Sequence, residues 1–112
     1  MMPNTYITIV GFSHYYGKEP FRIGAEFTCV KEPDNAFDSE AIKVTFPVLG
    51  TVGYVANGVN TKANGTSTAG RVYDKVGERF TAQVLFTTNS KVIAQIVDGD
   101  DASATRIEIP VE

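Results

Sequence analysis

Several features common in other protein classes are scarce or missing in this chain of 112 residues, which has no tryptophan and one cysteine. A single cysteine, Cys29, excludes an intrachain disulfide and does not match a metal-site pattern. No apolar run approaches the 18 residues that suggest a membrane span, and the N-terminus lacks the basic and apolar segments of a signal peptide. We therefore expect a cytoplasmic protein without a membrane association.

An excess of positive charge is also missing, because 10 Lys and Arg stand against 13 Asp and Glu, a formal net charge of −3. Nucleic-acid-binding domains usually carry a basic surface. Five of the 13 acidic residues and one of the 10 basic residues lie from Asp98 onward, however, which leaves 8 acidic and 9 basic residues, a net of +1. Such a nearly neutral body suits a short stretch of nucleic acid held by stacking, not a long phosphate track.

Short apolar–polar alternations, rich in β-branched and aromatic residues, predict a mostly β protein. A loop rich in Gly, Asn, Thr and Ser covers residues 57–70, and Thr68 is placed to cap a short helix over residues 69–76. Short strands at regular spacing indicate a small barrel or sandwich rather than βαβ units. The predicted strands are residues 5–12, 25–31, 41–46, 51–55, 79–87 and 91–97.

The C-terminal residues 98–112 form an acidic extension. Within it, TRIEIPV at residues 105–111 alternates as a strand does, and Pro110 is compatible only with an edge strand. We expect this extension to lie outside the barrel or to add one edge strand to it.

The most unusual stretch is KEPDNAFDSEAIKV at residues 31–44. It opens with residues typical of a chain reversal, Pro33 and Asn35 among them, and closes with a strand that has one apolar face. Between turn and strand stand an aromatic residue, Phe37, and a carboxylate, Asp38. An aromatic face beside an acceptor in a tight corner serves either to stabilise the fold or to bind a ligand.

This stretch, GFSHYYG at residues 11–17 and TVGYVAN at residues 51–57 together resemble the HIRAN domain. The family pattern is a glycine ending the first strand, a tyrosine-bearing loop, an (R/K)(E/D)PxNxxDxxAIxV core and a GY or GH dipeptide. The resemblance implies a small modified OB-like β-barrel of about six strands with one or two short helices, over residues 1–97. It also implies binding of single-stranded DNA, especially its 3′-hydroxyl end, and a link to DNA repair, in a bacterial stand-alone form.

The resemblance also implies which residues bind DNA. Aromatic rings would stack on bases, at roughly 1–3 kcal/mol per base. The core carboxylate would accept a charge-assisted hydrogen bond from the terminal hydroxyl and would repel a 3′-phosphate. The DNA-binding residues carried over by motif position are His14, Tyr15, Asn35, Phe37, Asp38 and Tyr54. Backbone phosphates need donors, for which Lys43, Lys31, Arg71 and Lys91 are the candidates.

Each of these residues also has a structural interpretation. Asp38 is placed to cap its own turn through the N–H of Glu40 or Ala41, and Asn35 to shape the same turn. Phe37 fits a core position as well as a stacking platform, and Tyr54 fits the barrel wall. The chain also departs from the family, with Ser13 where a basic residue is usual, His14 where a tyrosine is usual, and Phe37 in place of a tyrosine.

Other functions have weaker support in the sequence. Cys29 alternates toward the inside of a strand, as a small core residue does. Asp34, Asp38 and Glu40 lack the spacing of a calcium loop, and there is no glycine-rich phosphate loop. We therefore expect no catalysis and no cofactor. The alternative to DNA binding is a protein-interaction or self-assembly module on the same barrel, with a partner such as a DNA-processing enzyme.

Overall fold

A closed barrel of six antiparallel strands forms the body of the protein, in a computed structural model that describes residues 5–98. One α-helix, α1 (Ala69–Tyr73), and one 3₁₀ helix (Phe12–His14) accompany the strands. The order around the barrel is β1-β4-β3-β2-β5-β6. The strands are β1 (Tyr6–Val10), β2 (Glu26–Lys31), β3 (Ile42–Phe46), β4 (Gly50–Val55), β5 (Arg79–Thr87) and β6 (Val92–Asp98).

Strand β1 closes the barrel, because it pairs with β4 on one side and with β6 on the other. Hairpins join β3 to β4 and β5 to β6, and β2 pairs with both β3 and β5. Each described strand therefore has two hydrogen-bonded neighbours. The predicted mostly β, barrel-like fold class of about six strands and one short helix is confirmed.

Buried and more exposed residues alternate along the strands, and the buried ones form the core of the barrel. In β5, Phe80, Ala82 and Val84 are buried between half-buried neighbours, and Cys29 on β2 is fully buried, as its position in the alternation predicts. A cluster of four phenylalanine rings forms part of this core. In it, Phe21 from the first loop packs against Phe46 at 5.6 Å between ring centroids. The first loop is therefore anchored by a buried side chain and presents its other residues from a defined position.

The predicted end of the first strand was wrong. The strand ends at Val10, and Gly11 adopts φ +74°, a left-handed conformation that glycine tolerates at little cost. The chain then turns into the 3₁₀ helix Phe12–His14, and Phe12 becomes a buried residue of that turn. The alternation of TYITIVGF does not reveal this reversal, because Phe12 is apolar in either conformation.

Helix α1 ends earlier than predicted, at Tyr73 rather than at residue 76. Thr68 caps it as predicted, since its hydroxyl accepts a hydrogen bond of 3.2 Å from the N–H of Arg71. Val72 and Val76 are buried and Tyr73 is half-buried, so the expected core-facing residues do face the core.

No helix within residues 5–98 has the length and apolar character that crossing a membrane requires. The acidic segment after Asp98, with the alternation at residues 105–111, lies outside the described residues.

Candidate nucleic-acid interface

Asn35 builds the corner between β2 and β3. Its Oδ1 accepts hydrogen bonds from the backbone N–H of Phe37 at 2.9 Å and of Asp38 at 3.0 Å. Its Nδ2 donates to Glu32 Oε1 at 2.8 Å. One amide side chain thus satisfies the backbone donors of the two residues predicted to bind the ligand. The structural interpretation of Asn35 is therefore correct.

Phe37 projects from this corner into solvent, with 97% of its side chain exposed. Its interpretation as a core residue was wrong, because the bend held by Asn35 directs the ring away from the barrel. Because the ring stays in water, it contributes no hydrophobic stabilisation to the fold. Its two faces are available for stacking.

Asp38 is half-buried, and both of its carboxylate oxygens have a partner within the protein. Oδ1 accepts from the N–H of Glu40 at 2.9 Å, the turn cap that the sequence suggests. Oδ2 accepts from Asn57 Nδ2 at 2.7 Å, and Asn57 Oδ1 in turn accepts from the N–H of Gly70 at 2.7 Å. Because a carboxylate oxygen has two lone pairs, each oxygen retains an acceptor position for a further donor.

Asn57 was missed as a site residue by sequence reasoning. It links the corner of residues 31–44 to the start of α1, 13 residues further along the chain. The available signal was its position as the last residue of TVGYVAN, one of the three segments that resemble the family. Asn57 stabilises the orientation of Asp38, because its Nδ2 donates to the carboxylate while its Oδ1 is held by the N–H of Gly70.

Glu32 is the second residue that sequence reasoning missed, and it gathers three predicted site residues around itself. The hydroxyl of Tyr54 donates to Glu32 Oε1 at 2.8 Å, and Lys43 Nζ lies 3.9 Å from Oε2. The pairing of Lys43 with Tyr54 on neighbouring strands places both side chains beside Glu32. Lys43 is therefore partly neutralised by a carboxylate, which weakens its interpretation as a phosphate donor.

The electrostatics of this cluster follow from these contacts. The hydrogen bond from Asn35, followed by the one from Tyr54, lowers the pKa of Glu32. Partial burial, the hydrogen bond to Glu32 and the neighbouring Tyr15 hydroxyl raise the pKa of Tyr54 above its usual range. Tyr54 is therefore a neutral donor at physiological pH and Glu32 a charged acceptor. Tyr54 is therefore more than a residue of the barrel wall, because its hydroxyl is hydrogen-bonded to Glu32 in the candidate site.

Tyr15 connects the first loop to this cluster through Tyr54, and 43% of its side chain is exposed. His14 precedes it at the end of the 3₁₀ helix and is also exposed. Tyr16, which follows, is 50% exposed. The structure thus brings Asn35, Tyr54 and Lys43 together around Glu32, and it places Tyr15 beside Tyr54. It joins Phe37 and Asp38 to this cluster through Asn35. It places His14 beside Tyr15 in the chain without a contact to the corner among the described interactions.

The lowered pKa of Glu32 predicts that part of the stability depends on pH. A depressed carboxyl pKa contributes stability that is complete above the unfolded value of 4.5 and is lost as pH falls through the folded value. We expect Glu32→Gln to lower the free energy of unfolding at neutral pH, and the difference from the wild type to shrink below pH 4.5. Urea denaturation over a pH series measures this. Glu78→Gln is the control, since Glu78 is exposed and its side chain makes no hydrogen bond or ion pair within residues 5–98. A difference that does not vary with pH would contradict the prediction.

Metal ligation has no support in the part of the chain that the structure describes, where no three His, Cys, Asp or Glu side chains are grouped. Cys29 is buried in the core and does not face the corner. The arrangement offers rings, one carboxylate acceptor and hydrogen-bond donors, which are the elements of a binding site.

The chain is a small closed OB-like β-barrel that carries exposed rings and a positioned carboxylate at one corner. The family model of the HIRAN domain matches residues 2–97, nearly the whole chain, and the chain belongs to this family. HIRAN domains are a family of modules that bind single-stranded DNA. No curated protein and no solved structure matches the chain significantly.

Proposed function

We propose that this HIRAN domain, over residues 1–97, is a non-catalytic module that binds the 3′-hydroxyl end of single-stranded DNA. The observation that carries the proposal is that Phe37 is 97% exposed on a bend where the side chain of Asn35 holds the backbone of both Phe37 and Asp38. An apolar ring at a fixed corner is costly to expose to water unless it meets another surface. A nucleobase, which has two π faces, is such a surface.

Asp38 supports selectivity for a free hydroxyl. The terminal 3′-hydroxyl donates to one of the carboxylate lone pairs that Glu40 and Asn57 leave available. A 3′-phosphate in the same position would bring two negative charges together. The selectivity therefore follows from charge and needs no additional pocket.

Tyr15 supplies a ring from the first loop beside Tyr54, which is bonded to Glu32, and His14 adds an exposed ring next to it in the chain. We expect one of these rings to stack on a base of the same strand. The Tyr54 hydroxyl donates to Glu32, and Lys43 lies beside the same carboxylate. We expect these two residues to hold the first loop and the corner in place.

Fluorescence anisotropy at low salt tests the proposal, with labelled oligonucleotides that end in a 3′-hydroxyl or a 3′-phosphate. We expect tighter binding of the 3′-hydroxyl end, and Asp38→Asn should remove most of the difference between the two ends. A folded protein that binds neither oligonucleotide would refute the function. Equal binding of both ends by the wild type would refute the role of Asp38.

The alternative, a protein-interaction module, has less support from the fold. Addition of a partner strand requires an unpaired edge, and each of the six described strands has two neighbours. The candidate edge strand at residues 105–111 lies outside the described residues. A partner such as a DNA-processing enzyme therefore remains a prediction from the sequence, as does the cytoplasmic location.

A further inference from the structure

A second concave site lies beside the corner, on the loop that precedes α1. It is a pocket of about 470 Å³ whose lining includes two cationic side chains, Lys62 and Arg71, and the hydroxyl residues Thr66, Ser67 and Thr68. Among the residues that the structure describes, no carboxylate lines it. A concave surface with two positive charges, the hydroxyls of Ser67 and Thr68 and no described negative charge favours an anion.

Two of the other three cations that the sequence suggests for phosphate contacts, Lys31 and Lys43, already have partners in the protein. Lys31 donates to the carbonyl of Val76 at 2.8 Å and lies 4.5 Å from the ring centroid of Tyr73, and Lys43 lies beside Glu32. Lys62 and Arg71, by contrast, form no ion pair within 4.0 Å in the described part of the chain. No carboxylate within residues 5–98 therefore neutralises their charges.

The loop that forms the pocket is fixed to the barrel. Thr66 Oγ1 donates to the carbonyl of Ala63 at 2.7 Å, so the 2.7 Å contact between the Thr8 and Thr66 hydroxyls is donated by Thr8. The Thr8 hydroxyl in turn accepts from the N–H of Ala63 at 3.0 Å, and the N–H of Ser67 donates to the carbonyl of Tyr6 at 2.7 Å. Thr8 and Thr66 are buried. The pocket is thus built on β1 despite the low-complexity sequence of its loop.

The pocket is connected to the corner by two hydrogen bonds, from Asn57 to Asp38 and from Gly70 to Asn57, each 2.7 Å long. Arg71 follows Gly70 directly. Glu40 is a second acidic side chain beside this link, since its Oε1 lies 2.6 Å from where a Cβ on Gly70 would be, but it does not line the pocket. Asn57 therefore connects the corner to the residue that precedes Arg71 of the pocket.

We propose that the Lys62–Arg71 pocket binds a backbone phosphodiester of the same DNA strand whose 3′ end lies at Phe37 and Asp38. This inference rests on the proposed function. Arg71 would contact two phosphate oxygens through its planar guanidinium, and Lys62 would add a point charge. In a domain with a net charge near zero, the two cations of this pocket place positive charge at one position of the strand.

The test compares Lys62→Gln/Arg71→Gln with the matched pair Lys75→Gln/Arg79→Gln, an exposed lysine and arginine outside the pocket. Both pairs lower the net charge equally. For a 3′-hydroxyl oligonucleotide of eight residues we expect roughly tenfold weaker binding for the pocket pair, and a slope of log K against log salt reduced by about 0.7 for one lost phosphate contact. The matched pair should stay near the wild type in both measurements.

A second series replaces one phosphate at a time by an uncharged methylphosphonate. We expect one position to weaken the wild type and to have no effect on the pocket pair. If the wild type binds DNA but the pocket pair equals it in affinity and salt slope, or the matched pair loses as much, the pocket is not a phosphate site. If the wild type binds no oligonucleotide, the proposed function itself fails, and the two failures are thereby distinguished.

Discussion

Replacing Phe37 by alanine is expected to weaken the binding of single-stranded DNA by roughly 5- to 150-fold, the equivalent of about 1–3 kcal/mol for one lost stacking contact. The same change should leave the melting temperature unchanged, because the ring is 97% exposed and removing it uncovers no core. Anisotropy titrations measure the first effect and thermal denaturation the second. A large loss of binding without a loss of stability is the behaviour of a ligand contact.

Two variants sharpen this experiment. Phe37→Tyr keeps the aromatic face and should bind as the wild type does. Ile23→Ala removes another exposed apolar side chain, 75% exposed in the first loop, and should have no effect. If Phe37→Ala binds DNA normally, the ring is not the stacking platform, and if it lowers the melting temperature by several degrees, the ring packs against the protein.

Asn35→Ala is expected to reduce the free energy of unfolding by about 1–3 kcal/mol and to abolish selectivity for the 3′-hydroxyl end. The substitution removes the acceptor of two backbone N–H groups, those of Phe37 and Asp38, and the donor to Glu32. Without it, the bend no longer fixes the ring and the carboxylate in one arrangement. Urea denaturation and the comparison of 3′-hydroxyl with 3′-phosphate oligonucleotides measure the two effects.

Asn35→Asp separates the two parts of this role. It keeps the acceptor for the backbone but places a second carboxylate where Nδ2 now lies 2.8 Å from Glu32 Oε1. We expect a destabilised protein whose stability recovers as the pH is lowered, because protonation of either carboxylate relieves the repulsion. Asn89→Ala, at an exposed position in the β5–β6 turn, is the control. Wild-type stability in Asn35→Ala would mean that the bend is held by other contacts.

The strands were accessible to prediction because their signal is local. Alternation with a period of two places Phe80, Ala82 and Val84 on one face, and the structure buries all three. The ends of the strands were harder to predict where one glycine changes the direction of the chain. Gly11 ends the first strand through a left-handed backbone conformation, a choice that the apolar Phe12 beside it conceals.

The candidate site divides in the same way. The roles of Asn35 and Asp38 as turn residues could be predicted, since their partners lie two or three residues away. Phe37 could not be assigned to the core or the surface, because a single aromatic residue between a turn and a strand has no periodicity to indicate its side. Its exposure depends on the direction of the bend, which only the folded corner shows.

The mostly β fold class, the turn chemistry of residues 31–44 and the resemblance to the HIRAN domain, to which the chain belongs, follow from the amino-acid sequence. Three contacts became visible in the folded barrel: Asn57 donates to Asp38, Glu32 lies beside Lys43, and Lys62 and Arg71 line one pocket. The physical reason is the closure of the barrel. It joins side chains that are far apart in the chain, 19 residues for Asp38 and Asn57, and no local pattern encodes such a contact.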